Sequence, residues 1–146
     1  MPCLLDLPDI RQQADYDCGV AASQIVLAYL GHSKRPRLPV TPIDGTDPRT
    51  IESAFRQLGI PVFSGQFDVP LLRHCQATGR PVICLIQREG IGHYVVSAGV
   101  FRGTVHYQCP TDGPLVAKAG NFMESWHDAD RFGTHFKCFG IALGGE

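Results

Sequence analysis

The sequence lacks any apolar run approaching the roughly 20 residues that a membrane-spanning helix requires. Its opening residues, MPCLLDLPDI, also lack the basic segment and the continuous apolar stretch of a secretory signal peptide, because Asp6 and Asp9 interrupt them. We therefore expect the protein to be cytoplasmic, without direct insertion into a membrane.

An excess of charge of either sign is also missing. The sequence contains 13 lysines and arginines and 14 aspartates and glutamates, which gives a net charge of −1. Proteins that bind nucleic acid or anionic membranes usually show clustered basic residues, so neither is an expected partner. The 146 residues, 44% apolar and 18% charged, are instead typical of a chain with a packed core. We predict a single domain spanning residues 1–146.

The sequence has six cysteines but no C-x-x-C pair. The even number permits a disulfide framework, yet four cysteines lie in apolar surroundings, where a thiol packs as a small hydrophobic group. These four, predicted to be buried thiols, are Cys3, Cys75, Cys84 and Cys138. Metal-ligating residue types also cluster near the C-terminus, at His127, Asp128, Asp130, His135 and Cys138. Their spacing matches no zinc pattern, so we predict a solvated polar loop, with no metal and no cofactor.

Helical patterns come first in the chain and strand patterns follow. Helices are predicted over 18–30, 48–58 and 69–78, with Asp47 and Asp68 as N-caps. Strands are predicted over 60–64, 81–87, 93–101, 104–109 and 137–143, with a short helix over 122–128 opened by a capping box of Asn121 and Glu124. This segregated order predicts an α+β fold, with N-terminal helices packed on a C-terminal antiparallel sheet.

The stretch QQADYDCGVA places one thiol, Cys18, at the start of a helix whose N-cap is predicted to be Asp17. The positive end of the helix dipole stabilises a thiolate there. The best histidine partner is His93, next to a glycine turn at the start of a strand, where it can act as general base and acid. Gln12 upstream can donate to the oxyanion of a tetrahedral intermediate.

A third group should orient the imidazole, and Asp112 is the only carboxylate in the segment after the next strand. The alternative is that Cys18 is simply a buried helix-start thiol and His93 a buried strand histidine, since one cysteine and one distant histidine are a weak signal.

Together these residues resemble the bacteriocin-processing cysteine peptidases, which cleave double-glycine leader peptides. The resemblance rests on Q-x5-C-G-x-A, on GHYVV at 92–96, and on CPTDG followed by F and W at 109–126. It implies a papain-like cysteine peptidase fold, as found at the N-terminus of peptidase-containing ABC transporters. By this resemblance Cys18 is the nucleophile, His93 the general base and acid, and Gln12 the oxyanion donor, with Gln13 as the less favoured register.

The resemblance fails at one position, because Cys109 stands where the family has its aspartate. A thiol is a weak acceptor and carries no charge while protonated. Asp112 could then orient His93 from a shifted loop, the Cys18–His93 pair could work alone at a reduced rate, or catalysis could be lost. The leading prediction is a cysteine endopeptidase that cuts leader peptides after Gly-Gly. The first alternative is a catalytically impaired module that binds a leader peptide without cleaving it. The second is acyl transfer or amide hydrolysis on a non-peptide substrate, which papain-like sites also support.

No Walker motif occurs in the sequence, so the chain is either an excised domain or a free-standing protein. The expected partners are a peptide or protein substrate and an ABC transporter or other membrane export partner on another chain.

Overall fold

The computed structural model describes residues 3–13, 18–32, 46–129 and 133–145. The helices are α1 (Cys18–Tyr29), α2 (Pro48–Gln57), α3 (Val69–Ala77) and α4 (Ala119–Ser125). The strands are β1 (Val62–Gln66), β2 (Val82–Arg88), β3 (Ile91–Phe101), β4 (Thr104–Cys109), β5 (Gly113–Lys118), β6 (His127–Ala129), β7 (His135–Lys137) and β8 (Phe139–Leu143).

Six of the strands form one antiparallel sheet in the order β1-β8-β2-β3-β4-β5. The hairpins β2–β3, β3–β4 and β4–β5 connect strands that are neighbours in sequence. The last strand, β8, instead inserts between β1 and β2, pairing with both. The strands β6 and β7 form a separate two-stranded ladder.

Helices cover both faces of the sheet, because its central strands are apolar on both sides. On β2, Ile83 and Leu85 face a core that includes residues of α1 and α2. The alternate residues Cys84 and Ile86 face a second core that includes residues of α3 and α4. The fully buried Trp126 belongs to the second core, and its indole N–H donates to the carbonyl of Phe139 over 2.9 Å.

Several sequence predictions are confirmed. Eight of the twelve residues of α1 are buried, as its nearly continuous apolar pattern predicted. The Asp47 carboxylate accepts from the Arg49 backbone N–H over 2.8 Å, and Asp68 accepts likewise from Leu71 over 2.9 Å, so both are N-caps. The predicted cap Asp17 lies outside the described residues.

The predicted strand before the third helix and the predicted helix after the central strands are both present, as β1 and α4. Strand β5 was missed because it begins with Gly113-Pro114, and proline is tolerated here only because β5 is an edge strand. The capping box was wrong: α4 begins at Ala119, and Lys118 at its N-cap makes no side-chain capping bond.

The C-terminal polar cluster is also not a loop. His127 and His135 lie on β6 and β7, which pair with each other, although both histidines are exposed. Asp130 lies outside the described residues. Cys75, Cys84 and Cys138 are buried thiols as predicted, whereas Cys3 is exposed. Within the described ranges, no helix has both the length and the apolar character needed to cross a membrane.

Candidate active site

An open cleft lies where the N-terminal segment passes the β2–β3 hairpin and the β4–β5 turn. Its volume is about 400 Å³. Two of the predicted site residues, Gln12 and His93, line it together. The other lining residues are Arg11, Gln13, Arg88, Glu89, Ile91, Gly92, Pro110 and Thr111.

The β2–β3 hairpin sets the position of His93. Glu89 and Gly90 both have positive φ values, 54° and 79°, as a two-residue type I′ turn requires. Strand β3 therefore begins at Ile91, two residues earlier than predicted, and His93 is its third residue. A side chain at Gly92 would overlap the carboxylate of Asp128 on β6. Gly92 thus allows β6 to pack directly against the start of β3.

The imidazole of His93 is 6% exposed and faces a thiol. Its Nε2 atom lies 3.3 Å from the Sγ atom of Cys109 at the end of β4. The same Sγ atom lies 3.9 Å from Oδ2 of Asp112. That carboxylate oxygen accepts from Arg88 over 2.8 Å and 3.1 Å. Cys109 therefore occupies the position next to the imidazole, and Asp112 lies behind it.

These surroundings favour the neutral form of His93. Burial is the main cause, and the Arg88 guanidinium adds to it, so that the pKa of His93 falls from 6.5 to about 4. The Asp112 carboxylate raises this pKa, but its effect is smaller than that of Arg88. At neutral pH the ring is therefore uncharged and able to accept a proton.

A set of hydrogen bonds anchors the segment that carries Gln12. The backbone N–H of Gln12 donates to the Pro110 carbonyl over 2.9 Å, and its Oε1 atom accepts from the Thr111 hydroxyl over 2.9 Å. Just before it, the Asp9 carboxylate accepts from both Arg11 and Gln108. The hydrogen bond from Arg11 is the largest cause of the lowered pKa of Asp9.

Arg11 also connects this segment to the β4–β5 turn. It donates to the Thr111 carbonyl over 3.2 Å and packs over Gly113. The glutamine is therefore fixed to the same turn that follows Cys109.

Cys18 is the first residue of α1 and is 8% exposed. It belongs to the same packed cluster as Tyr94, the neighbour of His93 on β3. The next helical residue, Gly19, approaches Tyr94 so closely that a Cβ there would lie 3.2 Å from its ring. The Tyr94 hydroxyl in turn donates to the Thr46 carbonyl over 2.6 Å. The start of α1 is thus packed against the strand that carries His93.

The structure therefore gathers His93, Cys109 and Asp112 in one chain of contacts and places Gln12 in the same cleft. Sequence reasoning missed Arg88 and Arg11, which pair with acidic residues around the site. No local motif marks either arginine. Arg88 reaches Asp112 only because β2, β3 and β4 are adjacent in the sheet, which the sequence alone did not reveal. Among the described residues, no three His, Cys, Asp or Glu side chains are arranged so that they could hold a metal ion.

Comparison with known proteins identifies the family. The sequence model of the Peptidase C39 family matches residues 6–129. The chain belongs to the Peptidase C39 family. A search of curated protein sequences found no significant match.

Solved structures similar to this C39 chain are peptidase domains of ABC transporters. A double glycine motif protease from an AMS/PCAT transporter, in complex with its leader peptide, has a TM-score of 0.72 and 18% identity, covering 98% of this chain and 94% of that one. The peptidase domain of Streptococcus ComA, a bifunctional ABC transporter of a quorum-sensing pathway, has a TM-score of 0.73 and 19% identity, with coverages of 97% and 99%.

The peptidase domain of Streptococcus mutans ComA in complex with a small-molecule inhibitor is also similar, with a TM-score of 0.68 and 18% identity over 94% of this chain and 99% of that one. At these identities the likeness is one of fold. The predicted papain-like α+β fold of the C39 peptidases is therefore confirmed.

Proposed function

We propose that this C39 family member is a cysteine endopeptidase that cleaves leader peptides, with Cys18 as the nucleophile. The observation that carries the proposal is that Gln12 and a buried, neutral His93 line one cleft, and that β3, the strand carrying His93, packs against the start of α1. A neutral imidazole, a thiol at a helix start and an amide donor are the parts that acyl transfer by cysteine requires.

Each residue has one task in this mechanism. His93 takes the proton of Cys18 as the sulfur attacks the peptide carbonyl, and then gives it to the leaving amine. An acyl-enzyme remains, which a water activated by His93 hydrolyses. The oxyanion accepts from the backbone N–H of Cys18 and from the side-chain amide of Gln12. The Thr111 hydroxyl donates to Oε1 of that amide, and this hydrogen bond orients the amide so that its Nε2–H group can donate to the oxyanion.

The family and its solved relatives support the proposed substrate class. One similar structure is a double glycine motif protease bound to a leader peptide, which supports a Gly-Gly pair before the scissile bond. A narrow cleft at the thiol would exclude larger side chains at those two positions. The relatives are peptidase domains of ABC transporters, which supports a transporter context for this chain. The proposal includes an ABC transporter partner and a cytoplasmic location.

Cleavage of synthetic peptides tests the proposal. The probes are leader-type peptides with an amphipathic helical segment and a central Gly-Gly, matched to peptides with Ala-Ala at that place, with products identified by mass spectrometry. We expect cleavage after Gly-Gly by the wild type, loss of cleavage in Cys18→Ala and His93→Ala, and no cleavage of the Ala-Ala peptides. Cys84→Ala, which removes a buried thiol away from the cleft, is the control and should cleave normally. Cleavage that persists in Cys18→Ala would refute the assignment of the nucleophile.

A second candidate function is a module that binds a leader peptide without cutting it. The observation that favours it is the thiol of Cys109 beside His93, where a carboxylate would stabilise the imidazolium form. The same peptides separate the two functions. Binding by both the wild type and Cys18→Ala, with no cleavage by the wild type, would establish the binding module.

A further inference from the structure

The sulfur of Cys109 lies between two groups that can each accept a hydrogen bond from its thiol. His93 Nε2 is 3.3 Å away on one side, and Asp112 Oδ2 is 3.9 Å away on the other. Cys109 is 1% exposed, so water does not compete freely for its thiol. A thiol has one proton to donate, and it can therefore donate to the imidazole or to the carboxylate, but not to both.

The carboxylate is the stronger acceptor of the two, because an ionised acceptor makes a stronger hydrogen bond than a neutral one. Arg88 holds it in place with two bonds to the same oxygen. If the S–H donates to Asp112, the sulfur presents lone pairs to His93, and the imidazole must then donate its Nε2 proton to the sulfur. The opposite arrangement would leave the carboxylate facing sulfur lone pairs and would place the imidazole proton on Nδ1.

We propose that Cys109 is a positioning residue that relays a hydrogen bond from His93 through its thiol to Asp112. The Nε2–H group of His93 donates to Sγ, and the S–H group donates to the Asp112 carboxylate. This relay fixes the proton of the neutral imidazole on Nε2 and leaves the lone pair on Nδ1. The use of Nδ1 as the base toward Cys18 rests on the proposed function, whereas the relay itself does not.

The charges around the site do not by themselves let Asp112 stabilise the imidazolium form of His93. The Asp112 carboxylate raises the pKa of His93, but Arg88, which pairs with it directly, lowers that pKa by more. The two charges together therefore favour the neutral ring. A hydrogen bond through the S–H group is a second, directional route by which Asp112 acts on that neutral ring.

Nitrogen-15 NMR of the imidazole at neutral pH tests the relay without requiring catalysis. In the wild type we expect a protonated Nε2 and an unprotonated Nδ1 on His93. Asp112→Ala removes the acceptor, so the S–H group should turn to Nε2 and shift the ring toward the Nδ1-protonated form. Cys109→Ser keeps a donor and an acceptor at the position and should keep the wild-type tautomer. Asp47→Asn, which removes a carboxylate charge from a different arginine pair and keeps an N-cap side chain, is the matched control and should keep the wild-type tautomer.

The double variant decides between relay and through-space action. In the wild-type background, we expect Asp112→Ala to lower the cleavage rate roughly tenfold. In a Cys109→Ala background, Asp112→Ala should alter neither the tautomer of His93 nor the cleavage rate. A wild-type ring protonated on Nδ1 would overturn the proposal, as would an Asp112→Ala effect that is absent or equal in both backgrounds. If no peptide is cleaved, the proposed function fails, and the NMR result still decides the relay.

Discussion

Replacement of His93 by glutamine should remove a defined part of the pH dependence of stability. The pKa of His93 falls from 6.5 to about 4 on folding, mainly because the ring is buried. The folded protein therefore binds fewer protons at His93 than the unfolded chain does in this pH window. The free energy of unfolding is then greatest above the unfolded pKa and decreases as the pH falls through the window toward 4.

The size of this effect follows from the two pKa values. At about 1.4 kcal/mol for each pH unit between them, the wild type should lose about 3 kcal/mol of unfolding free energy between neutral pH and pH 4 that His93→Gln does not lose. Urea denaturation at several pH values measures both proteins. Only the pH-dependent part of their difference matters, because a constant difference reflects packing at the substituted site.

Substitution of an exposed histidine is the control that separates the effect of the buried His93 on the pH dependence of stability from the loss of an imidazole in general. His127 is exposed on β6, and His127→Gln should keep the wild-type pH dependence below neutral pH. If the wild type and His93→Gln lose stability in parallel between neutral pH and pH 4, then His93 is not held neutral by the fold, and the assignment of a neutral base in the cleft is wrong.

Other predictions concern residues around the cleft. Gln12→Ala should lower kcat on a Gly-Gly peptide by roughly 10²-fold with little change in KM, and the same substitution at the neighbouring Gln13 should have a small effect; equal losses would contradict the assignment. Gly113→Ala should lower kcat and destabilise the protein by about 1 kcal/mol, because φ is 86° there and the Cβ would meet the Arg11 side chain, whereas Gly120→Ala, with open space around it, should do neither. Tyr94→Phe should lower the unfolding free energy by about 1 kcal/mol, because it leaves a buried backbone carbonyl without its donor; unchanged denaturation curves would argue against that bond.

Local sequence patterns predicted the helix and the strand that carry the site, but they predicted few of the contacts between the site residues. The helix starting at Cys18 and the strand containing His93 follow from apolar spacing and turn residues, which are local properties of the chain. The register that places Arg88 near Asp112 depends on the pairing of three strands and has no local signature. The edge strand β5 was hidden by its proline.

The replacement at Cys109 shows both the use and the limit of the resemblance. The motif resemblance placed Cys109 at the position of the orienting group, and the structure locates its sulfur next to His93. The sequence did not reveal that Asp112 would lie behind the thiol and be paired to an arginine, because that arrangement depends on the turn between β4 and β5. The roles of Cys18, His93, Gln12 and Asp112 and the extent of the domain stay predictions.

The insertion of β8 between β1 and β2 has a consequence for synthesis. Ile141 and Leu143 pack in the same cluster as Cys18, so the start of α1 is complete only after the far end of the described chain has been made. Pairings of such long sequence separation form slowly. A nascent chain would therefore carry the thiol without the packing that positions it until β8 has been made and paired with β1 and β2.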